Sequence, residues 1–258
     1  MNYILKKIED AEIILKPFPH IIISNFLEDS DLIDVLNNID IDNLNVIDKK
    51  YKLVQYPGAK STTEELTKRP TGVGLVYALK EEYSKNNIKL NTILDSDEFK
   101  QALFEKFKIP TNIDGWNVYQ INKDLNGYEI SPHPDITGKV ITYQLNLSNT
   151  NILDNYDLGT KFHTIKPEFL KDIKKLSTKQ PRPWGKWDWF DKGKSIPYKK
   201  NTFMAFAPSD ISYHSVKLEN YPQEKYQRTM LRGFIADSRL LNKNPKSHWT
   251  SGNLVNIS

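Results

Sequence analysis

An α+β chain, helical in much of its first half and all-β from Trp116 onward, is what the 258-residue sequence predicts. Three observations carry this. Residues 61 to 110 show caps and apolar faces at helical spacing, residues 116 to 240 break into short runs rich in β-branched and aromatic residues, and Gly, Asn, Asp or Pro separate those runs. The length fits one domain with elaborations. It divides into N-terminal strands and helices over 1 to 115, a β core over 116 to 240 with an insert at about 162 to 200, and a tail over 241 to 258.

The elements follow in order. "AEIILKPFPHIIISNFL" reads as one or two strands around the kink between Pro17 and Pro19, and "EDSDLIDVLNNI" as a helix with acidic residues in its first turn, where the helix dipole favours them. "STTEELTK" opens with Ser/Thr caps, and "GLVYALKEEYSK" keeps an apolar face. "DSDEFKQALFEKFK" groups Phe99, Leu103, Phe104 and Phe107 until Pro110 stops the helix. Aromatics at that spacing predict packing against a sheet. Beyond them "GWNVYQIN", "KVITYQLNLS", "KNTFMAFAPS" and "QRTMLRGFIAD" are strands of a β-sandwich or barrel. The insert holds a helix-like piece and a Pro/Trp-rich loop, which predicts either a lid or a loop tied to the barrel by Trp184, Trp187 and Trp189.

Composition narrows the function. The 36 basic and 32 acidic residues give a formal charge of +4 and the lysines are scattered, so nothing indicates a nucleic-acid partner. Without cysteine there is no disulfide, thiolate metal site or Cys nucleophile, and any metal falls to His, Asp or Glu. No stretch approaches the roughly 18 apolar residues that cross a bilayer, so the expectation is a soluble, cytoplasmic protein without a membrane partner.

The histidines are His20, His133, His163, His214 and His248. In "GYEISPHPDITGKVITYQLNLS", His133 and Asp135 stand two apart, and on extended backbone they point to the same side and can hold one ion. A non-haem Fe(II) site asks for two imidazoles and one carboxylate. His214, in "NTFMAFAPSDISYHSV", is the better third ligand, with His163 after "GTKF" as competitor. Arg228 favours His214: it opens a strand fourteen residues on (228 − 214 = 14), and a buried arginine there needs a carboxylate from the protein or from a ligand. Arg232, on the same face of that strand, is the alternative clamp.

Taken in order, "HPD", His214 and Arg228 resemble the signature of the Fe(II)- and 2-oxoglutarate-dependent oxygenases, in their prolyl-4-hydroxylase-like branch. "PFPHIIISNFLEDSDLIDVL" resembles the opening strand and helix of that branch, and "NVYQINKDLNGYEISPHPD" its approach to the His-x-Asp. "VITYQLNLS" resembles the strand after it, "DLGTKF" a Gly-Gly-x-Leu turn lacking one Gly, and "IPYKKNTFMAFAPSDISYHSV" the strand before the distal His. The likeness spans about residues 17 to 40 and 114 to 237. It implies a double-stranded β-helix core, jelly-roll or cupin-like, with N-terminal supporting helices. It implies Fe(II) on His133, Asp135 and His214, and the distal carboxylate of 2-oxoglutarate on Arg228, with Tyr119 hydrogen-bonding that cosubstrate. Met230 stands where many relatives have Ser, so Thr142 or Gln144 is the candidate second contact. The implied activity is hydroxylation of an unactivated C–H bond using O2, with release of succinate and CO2 and with ascorbate as a candidate accessory. Related halogenases replace the carboxylate with a small residue, so Asp135 favours hydroxylation. A prolyl or other peptide residue is the first substrate class, with a small metabolite or sugar behind it. The alternative is a jelly roll that binds a ligand or partner without turnover.

Overall fold

The computed structural model describes residues 2–38, 45–46, 76–78, 88–124, 126, 128–148, 150–177, 184–222, 225–226 and 228–239. Helix α1 (Asn2–Asp10) is not anticipated by the charge-broken pattern of that stretch. Ile4 and Ile8, one turn apart, are fully buried, and this short apolar stripe suffices to dock the helix. Next come β1 (His20–Ile23), α2 (Asp29–Asn38), β2 (Asn45–Val46), β3 (Val76–Ala78), α3 (Ile88–Leu94) and α4 (Asp97–Phe107). The core strands are β4 (Gly115–Asp124), β5 (Glu129–His133), β6 (Lys139–Asn146), β7 (Thr160–Phe162), β8 (Lys194–Ile196), β9 (Phe203–Phe206), β10 (His214–Lys217) and β11 (Arg228–Asp237). Helix α5 (Leu170–Ser177) lies between β7 and β8.

Helix α4 follows its sequence signals. The Ser96 hydroxyl accepts from the Phe99 amide, Lys108 turns left-handed at φ 55°, and Phe99, Leu103 and Phe104 are buried. The helix expected over "GLVYALKEEYSK" gives way at Val76–Ala78 to strand β3, which pairs antiparallel with β4, so a tertiary partner overrides local propensity. "STTEELTK" lies outside the described residues.

Two sheets form the core, in the orders β1-β9-β6-β11-β4-β3-β2 and β5-β10-β7-β8. From β4 the chain alternates between them except at the β7–β8 pair, which stays in one sheet: β4, β6, β9 and β11 join the larger sheet, and β5, β7, β8 and β10 the smaller. That alternation winds the double-stranded β-helix which the resemblance implies. The larger sheet has two chemically distinct faces. Ile21, Ile141, Tyr143, Phe203, Leu231 and Ile235 turn outward and join α1 to α4 in the main apolar core. A Cβ at Gly233 would lie 2.2 Å from the Tyr143 ring, so the glycine lets that ring cross the sheet surface. The other face looks into the barrel and carries Thr142, Gln144, Asn146, Arg228 and Arg232.

The insert is not a structureless lid in its described parts, since it contributes β8 and α5. The Trp187 indole donates to Glu129 at 3.0 Å, the Gly185 amide donates to the Pro132 carbonyl at 3.0 Å, and Trp189 stacks on Phe169. Trp187 thus bonds to strand β5, and Trp189 packs within the insert.

Candidate metal centre

Strands β5 and β10 are antiparallel neighbours, and their register sets His133 directly opposite His214. A cross-strand pair shares one face of its sheet, so both imidazoles enter the barrel together. Their ring centroids are 4.3 Å apart. The backbone then repeats one device twice: Nδ1 of His133 meets the Ser131 carbonyl at 2.9 Å, and Nδ1 of His214 meets the Ser212 carbonyl at 3.0 Å. A carbonyl can only accept, so each Nδ1 carries the proton and each Nε2 presents a lone pair.

Asp135 completes the group, although not by the extended geometry expected from sequence. The strand ends at His133, and Asp135 sits in the left-handed region at φ 64°. Aspartate tolerates this region better than most residues, and such strain concentrates at functional sites. Its Oδ2 accepts from the Thr142 hydroxyl at 2.7 Å and lies 3.7 Å from Nε2 of His214. Its Oδ1 receives the Lys139 ammonium at 2.6 Å. One ligand atom from each of His133, Asp135 and His214 falls within 4.8 Å of the others. Two imidazoles and one carboxylate suit a first-row divalent ion, and the donor set fits Fe(II).

Electrostatics keep the donors ready. Burial and then His214 push the His133 imidazole down to about 3, and burial lowers His214 against the opposing pull of Asp135. Burial alone would raise the Asp135 carboxyl, but Lys139, His214 and His133 more than offset it and hold it well below the usual carboxylate range. At neutral pH the group is two neutral imidazoles and one carboxylate. The Trp184 indole lies flat on the His133 ring, centroids 4.3 Å apart and planes 8° apart, which fixes that ring from the side.

His163 is not in the group. Its Nε2 meets the Ser215 hydroxyl at 2.7 Å and its Nδ1 the Asp191 carbonyl at 3.2 Å. Ser215 alternates with His214 along β10, so His163 packs on the other side of that strand. Among the described residues the group of close donors thus includes His214 and leaves His163 out.

Deeper in the barrel, Arg228 is fully buried. Its Nε donates to the Leu158 carbonyl at 2.7 Å, the guanidinium lies 5.0 Å from the Tyr198 ring centroid, and Nη1 pairs with Asp124. Arg232 pairs with the same carboxylate and covers the Tyr128 ring. The carboxylate that a buried arginine needs is therefore already supplied by Asp124, which sequence reasoning passes over. Its signal is the β4–β11 register, which sets Asp124 opposite Arg228. Like Oδ1 of Asp124, Nη2 of Arg228 and the Thr202 hydroxyl are buried without a hydrogen-bond partner among the described residues. Both residues line a cavity of about 10 Å³, room for about one water, together with Gln144, Asn146, Thr160 and Met230. Gln144 accepts from the Thr160 hydroxyl at 2.8 Å.

Register relates this cluster to the metal ligands. Thr142, bonded to Asp135, stands opposite Phe234 of β11, and Arg232 stands opposite Gln144. Arg232 is thus about 7 Å, and Arg228 about 20 Å, along the strand from Phe234 at roughly 3.4 Å per residue. The two side chains reach toward one another and meet at Asp124. Tyr119 does not join them. It lies on the outer face of β4, packed against the helical core, and its hydroxyl donates to Asp95 at 3.0 Å. The expected cosubstrate contact from Tyr119 fails because strand parity points its ring away from the barrel.

No family model matches the sequence, and no curated protein matches it. Among solved structures the chain is similar to a prolyl hydroxylase of Trichoplax adhaerens in complex with a hypoxia inducible factor oxygen degradation domain peptide fragment. That similarity has 14% identity and a TM-score of 0.49 over 92% of this chain and 89% of that one. It is also similar to a Pseudomonas putida prolyl-4-hydroxylase, with 10% identity and a TM-score of 0.49 over 90% and 98%. A third similarity is to HygX from Streptomyces hygroscopicus with nickel and 2-oxoglutarate bound, with 6% identity and a TM-score of 0.46 over 85% and 83%.

Proposed function

We propose that the chain is an Fe(II)- and 2-oxoglutarate-dependent dioxygenase that hydroxylates an unactivated C–H bond. One observation carries the reading: two imidazole Nε2 atoms and one carboxylate oxygen converge inside a barrel, each imidazole held in the ligating tautomer by its own backbone. Fe(II) bound there, with 2-oxoglutarate and O2 as cosubstrates, supplies the oxidative decarboxylation that yields succinate and CO2 together with a hydroxylated product. The chain's own residues bind and orient. His133, Asp135 and His214 hold the ion on one side, Thr142 steadies the carboxylate, and the barrel walls keep water from the reacting centre. On the resemblance Arg228, or Arg232 in its place, takes the distal carboxylate of 2-oxoglutarate, for which the one-water cavity beside Nη2 of Arg228 and the Thr202 hydroxyl has to widen. Thr202 joins Gln144 as a candidate second contact: Thr142 spends its hydroxyl proton on Asp135, whereas Thr160 takes only Oε1 of Gln144 and leaves the amide nitrogen able to donate. Arg232 shares Asp124 with Arg228 and adds positive charge to the pocket. A peptide residue, prolyl included, is the first substrate class on the resemblance.

The test is aerobic incubation with Fe(II) and labelled 2-oxoglutarate, which yields succinate even when uncoupled from a substrate. A His133→Ala, Asp135→Ala double variant loses that yield. Equal succinate from both proteins, with no metal binding by calorimetry, overturns the reading. A barrel that binds without turnover draws on one observation, the internal pairing of Arg228 with Asp124. Calorimetry separates the two, since only the dioxygenase binds 2-oxoglutarate more tightly once the metal site is loaded.

A further inference from the structure

Lys139 is the least expected group at the site. Its ammonium is nearly buried, the side chain only 15% exposed, and it lies between the Asp135 carboxylate at 2.6 Å and the face of Phe234 at 4.7 Å. Both neighbours favour a cation. The backbone aims it there: the turn after Asp135 passes through Gly138 at φ 100°, the Gly138 carbonyl accepts from the Asp237 amide at 2.8 Å, and Lys139 then enters β6 beside Ala236 of β11.

The two oxygens of Asp135 are divided. Oδ2, the one near His214, accepts only from the neutral Thr142 hydroxyl, whereas Oδ1 takes the full charge of Lys139. A carboxylate can grip a metal with one oxygen or with both. Gripping with both would here set a divalent ion and the Lys139 ammonium on the same oxygen, like charges in a largely desolvated place, and weaken a charge-assisted hydrogen bond.

We propose that Lys139 is a positioning residue that confines Asp135 to one ligating oxygen, so that a metal on His133, Asp135 and His214 keeps three adjacent positions open. This inference rests on the dioxygenase reading. A cosubstrate that chelates through two atoms leaves room for dioxygen only if the protein takes three of six positions, and an aspartate bound through both oxygens would take a fourth. A bare counter-ion to Asp135 would neutralise the empty site without governing the denticity of the loaded one.

The experiment counts water ligands on Mn(II) bound to the full chain, by electron spin-echo spectroscopy in deuterated and 17O-enriched water, without cosubstrate. Wild type is expected to carry three and Lys139→Met two, because Oδ1 released from the ammonium takes the vacated position. Lys139→Arg restores three. If Lys139→Met does not fold, Lys139→Gln carries the same expectation, since a neutral amide competes poorly with a divalent ion for Oδ1. Two waters in wild type, or three in both wild type and the neutral variant, overturn the role of Lys139 and leave the dioxygenase reading standing. Failure of wild type to bind Mn(II) overturns the dioxygenase reading itself.

Discussion

The two ends of the barrel's polar interior are built on opposite principles. At the metal end, protein contacts are spent on atoms that do not ligate: both Nδ1 atoms face carbonyls and Asp135 Oδ1 faces Lys139, leaving two Nε2 atoms and Oδ2 directed at one point. At the arginine end, the charges are spent on one another, with Arg228 and Arg232 sharing Asp124 and one guanidinium nitrogen left over. The first end carries a donor set that fits an ion. The second is folded around its own ion pairs and keeps one guanidinium nitrogen without a hydrogen-bond partner among the described residues.

Removing a metal ligand has the largest expected effect. His133→Ala or Asp135→Ala should lower Mn(II) affinity roughly 100-fold or more in calorimetry, since even outer partners of such ligands are worth about 10 to 100-fold. At the arginine end the larger effect falls on stability. Asp124→Asn leaves two buried guanidiniums without their carboxylate and should cost about 3 to 5 kcal/mol in chemical denaturation. A cost below about 1 kcal/mol would show that the shared carboxylate does not hold this end of the barrel together. Arg228→Ala should weaken 2-oxoglutarate binding by about tenfold or more, from roughly 1.5 to 3 kcal/mol for a hydrogen bond to a charged group, while Mn(II) affinity stays the same. Unchanged 2-oxoglutarate affinity would move the clamp to Arg232.

Smaller effects separate the ends further. His20 and His163 are buried and burial lowers both below their ordinary 6.5, so the unfolded chain takes up protons that the fold refuses. Metal-free protein should therefore hold its stability above pH 6.5 and lose it progressively as the pH falls below that value. A denaturant midpoint that stays flat from pH 7.5 to 5 would contradict this. The smallest change is expected of Trp184→Ala, where loss of the stack on His133, worth about 0.5 to 1.5 kcal/mol, should weaken Mn(II) binding by at most roughly tenfold.

The same contrast explains what the sequence discloses. The candidate metal end is local twice over: "HPD" brings two of the three donors within three residues, and His214 follows an apolar strand that returns beside them. The arginine end depends on strand register, which local pattern does not set. Asp124 meets Arg228 only because β4 and β11 pair over ten residues, and a one-residue change of parity would have turned Tyr119 into the barrel and Asp124 out of it. The left-handed turn at Asp135 is equally hidden, since aspartate takes up both extended and left-handed backbone and the local pattern does not choose between them. Among the helices, α4 announces itself through its cap and aromatics, whereas α1 presents little beyond Ile4 and Ile8.

An anaerobic crystal structure with Mn(II) and 2-oxoglutarate tests the central claim most directly. The account predicts one ion on Nε2 of His133, Oδ2 of Asp135 and Nε2 of His214, with the distal carboxylate of 2-oxoglutarate on Nη2 of Arg228. A metal ligated by His163, or a 2-oxoglutarate carboxylate bound away from both Arg228 and Arg232, would contradict it.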